Sequence, residues 1–430
     1  MNLAIIADDL TGANDSGVQL AKYGLQTSVF FKMDQRNLQE NDAIVFDTDS
    51  RAMAAEEAKN VVADVTQFLL KEGVTNIYKK IDSTMRGSIG AELVGMQQEL
   101  QADFIIISPG YPKNHRQVID GYHYLKGKKL AETEIALDPV TPVHESYLPD
   151  LLKEQIGEQV GLMNLQELRT EASFHEKLNF FENNGISYVV VDAEVEEDLR
   201  ILLSELKKTS FSIGLVGSAG LANYLPDYYD LKPKVQNYRI TDTNKPILTV
   251  VGSVNINSRN QLNKLLAEEI FAVKINSFKA VGKLEDRTAE IERVYREVQQ
   301  VAKSGRDVVV YSSGEREDID YARKVGAQNG FDFMQTSKEI VAMIGEIAAR
   351  LLQEGLFQGI VMTGGDTAKK ICEQWDITGF TLYDELEVGV PISSFIGVDG
   401  LFAITKAGGF GKERVFIDSI AKLKGVHDSE

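Results

Sequence analysis

Short apolar runs of strand length alternate with helix-period segments along almost the whole chain. The runs are Leu3–Ala7, Thr27–Phe31, Ala43–Phe46, Ile77–Lys80 and Phe104–Ser108, followed by Tyr188–Val191, Ile213–Val216, Ile247–Val251, Asp307–Tyr311, Gly359–Met362 and Leu401–Thr405. Between them lie amphipathic patterns. One puts Ala58, Val61, Val62, Val65, Phe68 and Leu69 on a single helix face, and another spaces Ile340, Ile344, Ile347 and Leu351 at helical intervals. Such alternation predicts βαβ units and an α/β fold built on mainly parallel sheets flanked by helices. At 430 residues the chain exceeds the size at which a single core keeps growing, so two domains are expected. The boundary falls in the polar, proline-bearing stretch Tyr228–Pro246, which gives domains at 1–228 and 247–430 joined by a linker at 229–246. Residues 109–149, rich in Gly, Pro, Tyr and His, read as a long functional loop or a small subsidiary element.

Composition narrows the class of partner. Lysine and arginine total 46 against 64 aspartates and glutamates, a net charge of −18. That balance disfavours nucleic acid and anionic membranes, which need a basic field, but allows an anionic small molecule in a locally cationic pocket. The single cysteine, Cys372, excludes an intramolecular disulfide and a cysteine-rich zinc site, and reads as a small buried residue. No window approaches 18 apolar residues, and no basic region followed by an apolar core opens the chain, so a cytoplasmic protein is expected.

The strand ends carry the chemistry. Leu3–Ala7 breaks at Asp8 and Asp9, followed by Thr11, Gly12, Asn14 and Asp15. Ala43–Phe46 runs into Asp47, Thr48, Asp49, Ser50 and Arg51; Ile77–Lys80 runs into Asp82, Ser83, Thr84, Met85 and Arg86; Phe104–Ser108 runs into a segment ending Asn114-His115-Arg116. In a parallel sheet these loops emerge at one edge, where ligands bind. Adjacent carboxylates there can hold hydroxyls, bind a hard cation or accept a proton. Helix capping by Asp8, Asp9 or Thr11, caps at Ser83 or Thr84, and a surface Asp82–Arg86 ion pair are the plainer alternatives. His115, His123 and His144 read as structural. With Lys80, Arg51 and Arg86 among acids and hydroxyls, the lining suits a small polyhydroxylated acid, its carboxylate gripped by Arg51 or Arg86.

The second half differs. Its strand ends are glycine-rich: Gly252-Ser253, Ser312-Ser313-Gly314, Thr363-Gly364-Gly365-Asp366-Thr367 and Lys406-Ala407-Gly408-Gly409. Helical sequence follows two of them, at 368–374 and 415–423. Close-approaching backbone N–H groups at a helix start bind phosphate, although a double glycine alone is also a tight turn. Neither a Walker A motif nor G-x-G-x-x-G after the first strand is present. The glycine–serine run 214–220 reads as a substrate-side loop or a packing turn.

Taken together, IADDLTGAND at 6–15, DTDSR at 47–51, KKIDSTMRG at 79–87, GSAGLA at 217–222, VGSVN at 251–255, TGGDTA at 363–368 and KAGGFG at 406–411 make the chain resemble the four-carbon acid sugar kinases, over essentially its whole length. The resemblance implies an N-terminal acid-sugar-binding domain, a C-terminal nucleotide-binding domain and an active site in the inter-domain cleft. It implies substrate contacts from Asp9, Arg51 and the Asp82-Ser83-Thr84-Met85 loop, and ATP contacts from Ser253, Gly364, Gly365, Asp366, Thr367 and Gly408. Asp8, Lys80 and Arg86 join the substrate side and Gly409 the nucleotide side. The expected reaction is Mg²⁺- and ATP-dependent phosphorylation of the terminal hydroxyl of D-threonate or D-erythronate, with Asp9, then Asp366, as the proton acceptor; no metal ligands are assigned. A 3-oxo-tetronate substrate, a lyase or isomerase on a phosphorylated acid, and a two-lobed sensor are the alternatives, and a homodimer is a default. The pattern departs at His115, where the family carries a small residue, usually glycine.

Overall fold

The computed structural model describes residues 3–35, 38–138, 140–234 and 238–426. Residues 235–237 of the expected linker, and the extreme ends of both expected domains, lie outside them. The chain divides into two compact units, Met1–Val235 and Gln236–Glu430.

The first unit contains β1 (Leu3–Ala7), β2 (Thr27–Phe30), β3 (Ala43–Asp47), β4 (Ile77–Lys80) and β5 (Phe104–Ser108). After them come a small antiparallel sheet of β6 (Arg116–Ile119), β7 (Tyr122–Leu125) and β8 (Lys128–Lys129), and then β9 (Val160–Met163), β10 (Tyr188–Val191) and β11 (Ile213–Gly217). Its main sheet runs β2-β3-β1-β4-β11-β5-β10-β9, every pair parallel. All five residues of β1 are buried, as a strand covered on both faces must be. The irregular stretch 109–149 is the small sheet with short 3₁₀ turns, hence a subsidiary element. His115 there takes the left-handed conformation at φ 56°, the region that favours glycine. β9 was not expected from the sequence: it is a four-residue run interrupted by Gly161.

The second unit contains β12 (Ile247–Val251), β13 (Phe271–Ile275), β14 (Val308–Ser312), β15 (Gly359–Thr363), β16 (Gly379–Glu387), β17 (Val390–Phe395) and β18 (Phe402–Lys406). Their order is β13-β14-β12-β15-β18-β17-β16. The first five are mutually parallel, while β17 runs antiparallel to β18 and to β16. β13, β16 and β17 escaped the sequence reading, because β13 alternates buried with exposed positions and β16 ends in the acids Asp384, Glu385 and Glu387. Cys372 is buried, and no described helix is long and apolar enough to cross a membrane.

One buried pair props up the first sheet from behind. Lys79 on β4 reaches Glu92 on the helix Ile89–Leu100 with Nζ 2.8 Å from Oε2, their side chains 0% and 1% exposed. The Ser50 hydroxyl donates to the other Glu92 oxygen. Burial lifts the Glu92 carboxyl pKa; the Lys79 ammonium opposes this, and the charge of Asp8 reinforces it. Removing one partner of a buried pair strands the other charge in the core, at a cost of about 3–5 kcal/mol, whereas replacing both with apolar groups can be neutral. Lys79→Met should therefore lower the unfolding free energy by about that amount in urea titration. Lys79→Met combined with Glu92→Leu should recover most of the loss.

Candidate active site

Strand order dictates where each unit can hold a ligand. In the first unit the connection from β1 to β2 leaves in one direction, and the chain then crosses from β3 over β1 to β4. The crevice of such a switch point lies outside the carboxyl ends of β1 and β4. The loops carrying Asp8-Asp9 and Asp82–Arg86 emerge there, beside the Arg51 loop after β3. In the second unit β12 leads to β13 on one side, and β14 leads across β12 to β15, placing the switch point between β12 and β15. Ser253 and Gly364 follow those two strands.

The first site is organised around one guanidinium. Arg51 holds Asp8 bidentately, Nε to Oδ2 at 2.7 Å and Nη2 to Oδ1 at 3.0 Å, and donates from Nη1 to Asp9 Oδ2 at 2.6 Å. Its Nη2 also lies 3.9 Å from Asp82 Oδ1. The loop is clipped to β1 by backbone: the Thr48 N–H and hydroxyl both donate to Ala7 O, and the Arg51 N–H donates to Asp8 O. Asp9 is the N-cap of the helix Leu10–Tyr23, its Oδ1 accepting from Gly12 N at 2.8 Å. It is thus both a cap and a member of the cluster, and capping alone does not describe it.

Asp82 takes Arg86 Nε at 2.7 Å and Nη2 at 3.1 Å, along with the Thr84 hydroxyl. Arg86 Nη1 continues to Asp138 at 3.3 Å. The pair is half-buried and tied to a second loop, so it is no simple surface pair, and Ser83 and Thr84 do not cap the following helix. Met85 closes the turn with a left-handed φ of 60°, and Asp49 does the same at 55° in the neighbouring loop. Strained backbone of this kind persists where the surroundings over-determine it and clusters at functional sites. Gly87, at φ 100°, packs where a Cβ would sit 2.8 Å from the Arg51 carbonyl oxygen. A cavity of about 530 Å³ opens beside Arg51, Met85, Ser88 and His144.

These contacts set Asp82 and Asp9 apart. Burial pushes Asp82 up, but the Arg86 hydrogen bonds, the charges of Arg51 and Arg86 and the Thr84 hydroxyl outweigh it and hold the group well below its ordinary value. Asp9 moves the other way: burial and then the Asp8 charge raise its pKa against the pull of Arg51 and Lys80. Lys80, only 5% exposed, donates to Ile81 O at 3.0 Å, and no carboxylate among the described residues lies within ion-pair distance of it. Both arginines expected to grip a substrate carboxylate are therefore already engaged by protein carboxylates, and Lys80 is the cation left without a pair.

The second site is a cavity of about 360 Å³ with two kinds of wall. Gly252, Ser253, Ser312, Ser313, Gly364, Asp366 and Thr367 line it from strand ends and a helix start, while Ile319, Ala322, Phe333, Ile340 and Val341 line it from the helices Arg316–Gln328 and Phe333–Gln353. Gly364 takes φ 96° and Gly365 begins the helix Gly365–Gln374, so its first N–H groups have no intrahelical partner. The Gly408 Cα packs close enough to Ser253 that a Cβ would lie 2.8 Å from its hydroxyl, and the Gly409 carbonyl accepts from Asn257 Nδ2 at 3.1 Å. In the run 214–220, residues up to Gly217 belong to β11, Ser218 caps a four-residue helix, and the Ser218 carbonyl accepts from the buried Tyr78 hydroxyl.

The sequence reading missed the apolar wall, whose residues look like ordinary helix faces until the two helices are packed. It also missed Glu92, for which a signal existed. Position 92 falls on the same helical face as the apolar Ile89, Leu93 and Met96.

Known protein families match both halves of the chain. A family model described as a sugar-binding N-terminal domain matches residues 3–225, and one described as a nucleotide-binding C-terminal domain matches residues 248–416. The chain is 30% identical to a D-threonate kinase of Salmonella typhimurium over 99% of each chain. It is 30% identical to a D-erythronate kinase of Heliobacterium modesticaldum over 92% of this chain and 89% of the relative. A 3-oxo-tetronate kinase of Haemophilus influenzae is 28% identical over 96% and 98%. A crystal structure of a Haemophilus influenzae protein, 26% identical, superposes with a TM-score of 0.78 over 98% of this chain and all of that one. Matched in both halves and related along its full length, the chain belongs to the four-carbon acid sugar kinase family.

Proposed function

We propose that this protein uses ATP to phosphorylate the terminal hydroxyl of a four-carbon acid sugar, D-threonate or D-erythronate, giving the 4-phosphate. The observation that carries the reading is the pairing of two unlike strand-end sites. One is a dense array of acids, hydroxyls and an unpaired lysine; the other is an apolar-walled cavity ending on glycine loops and a helix start. The first suits a polyol acid, since site groups that hydrogen-bond each hydroxyl penalise an isomer that leaves them unpaired. The second suits a purine nucleotide, with the base against Ile340, Val341 and Phe333 and the phosphates at Ser253, Gly364 and Gly365.

Roles follow from the contacts. Arg51 and Arg86 hold the acidic loops in place, and Lys80 takes the substrate carboxylate. Asp8 is chelated bidentately by Arg51 and Asp82 by Arg86, whereas Asp9 takes only one guanidinium hydrogen bond and has its pKa raised, so Asp9 is the group suited to accept the proton of the attacking hydroxyl. Asp366, among the hydroxyls of Ser253, Ser313 and Thr367, presents the oxygen donors that suit Mg²⁺. A bound Mg²⁺ would neutralise charge on the β- and γ-phosphates. The backbone N–H groups at Gly364–Asp366 would steady the same phosphates.

ADP release with Mg²⁺ and ATP, measured across D-threonate, D-erythronate, their L-isomers and 3-oxo-tetronates, tests the reading. Turnover concentrated on one of the two D-acids supports it. A preference for a 3-oxo acid would move the substrate, and ATP-independent conversion of phosphorylated acids would replace kinase by lyase or isomerase. Asp9→Asn should cut kcat by about 10²–10⁴-fold. In the parent enzyme, protonation of Asp9 should produce an acid limb in kcat at a pH above the ordinary aspartate value, and the variant should lack it. Lys80→Met should raise KM for the acid by about 10–100-fold, the worth of a hydrogen bond to a charged group. It should barely change inhibition by a polyol analogue lacking the carboxylate.

A further inference from the structure

The second unit buries a cation that no carboxylate among the described residues neutralises. Lys406 closes β18, beside the end of β15, where the Gly364 N–H donates to its carbonyl oxygen at 3.0 Å. Its side chain is directed beneath the glycine loop that follows: the residue is 3% exposed, and Nζ donates to the Ser258 hydroxyl at 3.0 Å and to the Gly408 carbonyl at 3.2 Å. The Phe416 ring lies 5.5 Å from the ammonium on another side. Every described neighbour is thus neutral. The helix Ile256–Leu266 presents Ser258, while its charged Arg259 is turned to the Ser312 carbonyl at 2.6 Å. β15 presents Thr363, whose hydroxyl is 3.3 Å from Ser258 Oγ, and the helix Val415–Leu423 presents Phe416. The helix after Gly364 carries Asp366, and no ion pair joins it or any other described carboxylate to Lys406.

A charge removed from water is costly unless a partner compensates it, and buried charges are normally paired. The hydrogen bonds to a hydroxyl and a carbonyl orient this ammonium without balancing its charge. The groups beside it are those proposed to take phosphate: Gly408 packs on Ser253, and Gly364 hangs from the Lys406 backbone.

Resting on the nucleotide reading of this site, we infer that Lys406 is the built-in counter-charge for the nucleotide's phosphates, and that its own missing counter-ion is the ligand. Ser258 and Gly408 hold the ammonium under the loop, so the phosphates and the lysine compensate each other when ATP binds. The present state agrees, since burial alone depresses the Lys406 pKa to about 8. A phosphate placed nearby raises it again. ATP binding should therefore take up protons in the window above pH 8, and affinity should be highest below that pH and fall as pH rises through it.

Calorimetric titration of the whole protein with ATP, ADP and adenosine tests this. It should be run at pH 7 and 9, in buffers of different ionisation enthalpy, on the parent protein, Lys406→Met and Lys406→Arg. Lys406→Met is expected to weaken ATP at least tenfold and ADP less, to leave adenosine within about twofold, and to abolish the proton uptake at pH 9. Lys406→Arg should restore much of the affinity at pH 7 and remove its decline toward pH 9. Equal losses for ATP and adenosine would make Lys406 a packing residue and overturn the inference, as would proton uptake that persists in Lys406→Met. If Lys406→Met does not fold, the parent protein decides by its proton uptake and Lys406→Arg by its pH dependence. If the parent binds neither adenosine nor ATP, the nucleotide reading itself fails. If it binds both with no extra affinity for the phosphates, only the role of Lys406 fails.

Discussion

The guanidinium of Arg51 fastens three strand ends to one another. It holds Asp8 in two hydrogen bonds, Asp9 in a third and faces Asp82 at 3.9 Å, so the loops after β1, β3 and β4 meet on one planar group. Three carboxylates in one partly buried place would repel one another. The fork geometry and permanent charge of arginine make the arrangement stable, which a lysine could not do with the same directionality. Behind it the Lys79–Glu92 pair and the Ser50 hydroxyl extend the polar network into the core. The two left-handed residues, Asp49 and Met85, lie in loops that this network over-determines.

The same economy of charge appears in both units. In each, a lysine ends a strand near the switch point of the sheet: Lys80 on β4, which borders it, and Lys406 on β18, one strand beyond β15. Each is buried, each donates to main-chain oxygen, and neither is paired with a described carboxylate. Placed in a parallel sheet's ligand-binding edge, such a lysine is preorganised for an anion, because the fold has already met the cost of desolvating it. The carboxylate of an acid sugar and the phosphates of a nucleotide are the anions we propose for these two positions.

Legibility varied with the physical source of each signal. β1, β5, β10 and β12 were readable to the residue, because a strand buried on both faces is a largely apolar run bounded by polar or glycine residues; β4 was readable although it ends in two lysines. β13 and β16 were not: β13 alternates buried with exposed positions in a way that loops and helix ends also do, and β16 runs into the acids Asp384, Glu385 and Glu387. The acidic and glycine-rich strand-end motifs were readable as chemistry. The Asp82–Arg86 pair, four residues apart, was legible as an alternative, but the longer-range partners were not: only the folded structure shows Arg51 spent on Asp8 and Asp9, and Arg86 also on Asp138.

By itself, the sequence determined the α/β class, the division of labour between an acid-and-hydroxyl half and a glycine-loop half, and the positions of the loops, because local periodicity and local composition encode these. Tertiary structure decided which charges cancel and which stay unpaired. Charge pairing joins residues tens of positions apart, such as Asp8 with Arg51 or Arg86 with Asp138, and depends on distances of a few ångströms that strand order sets. Strand order is a property of the whole sheet, and no local window of sequence contains it.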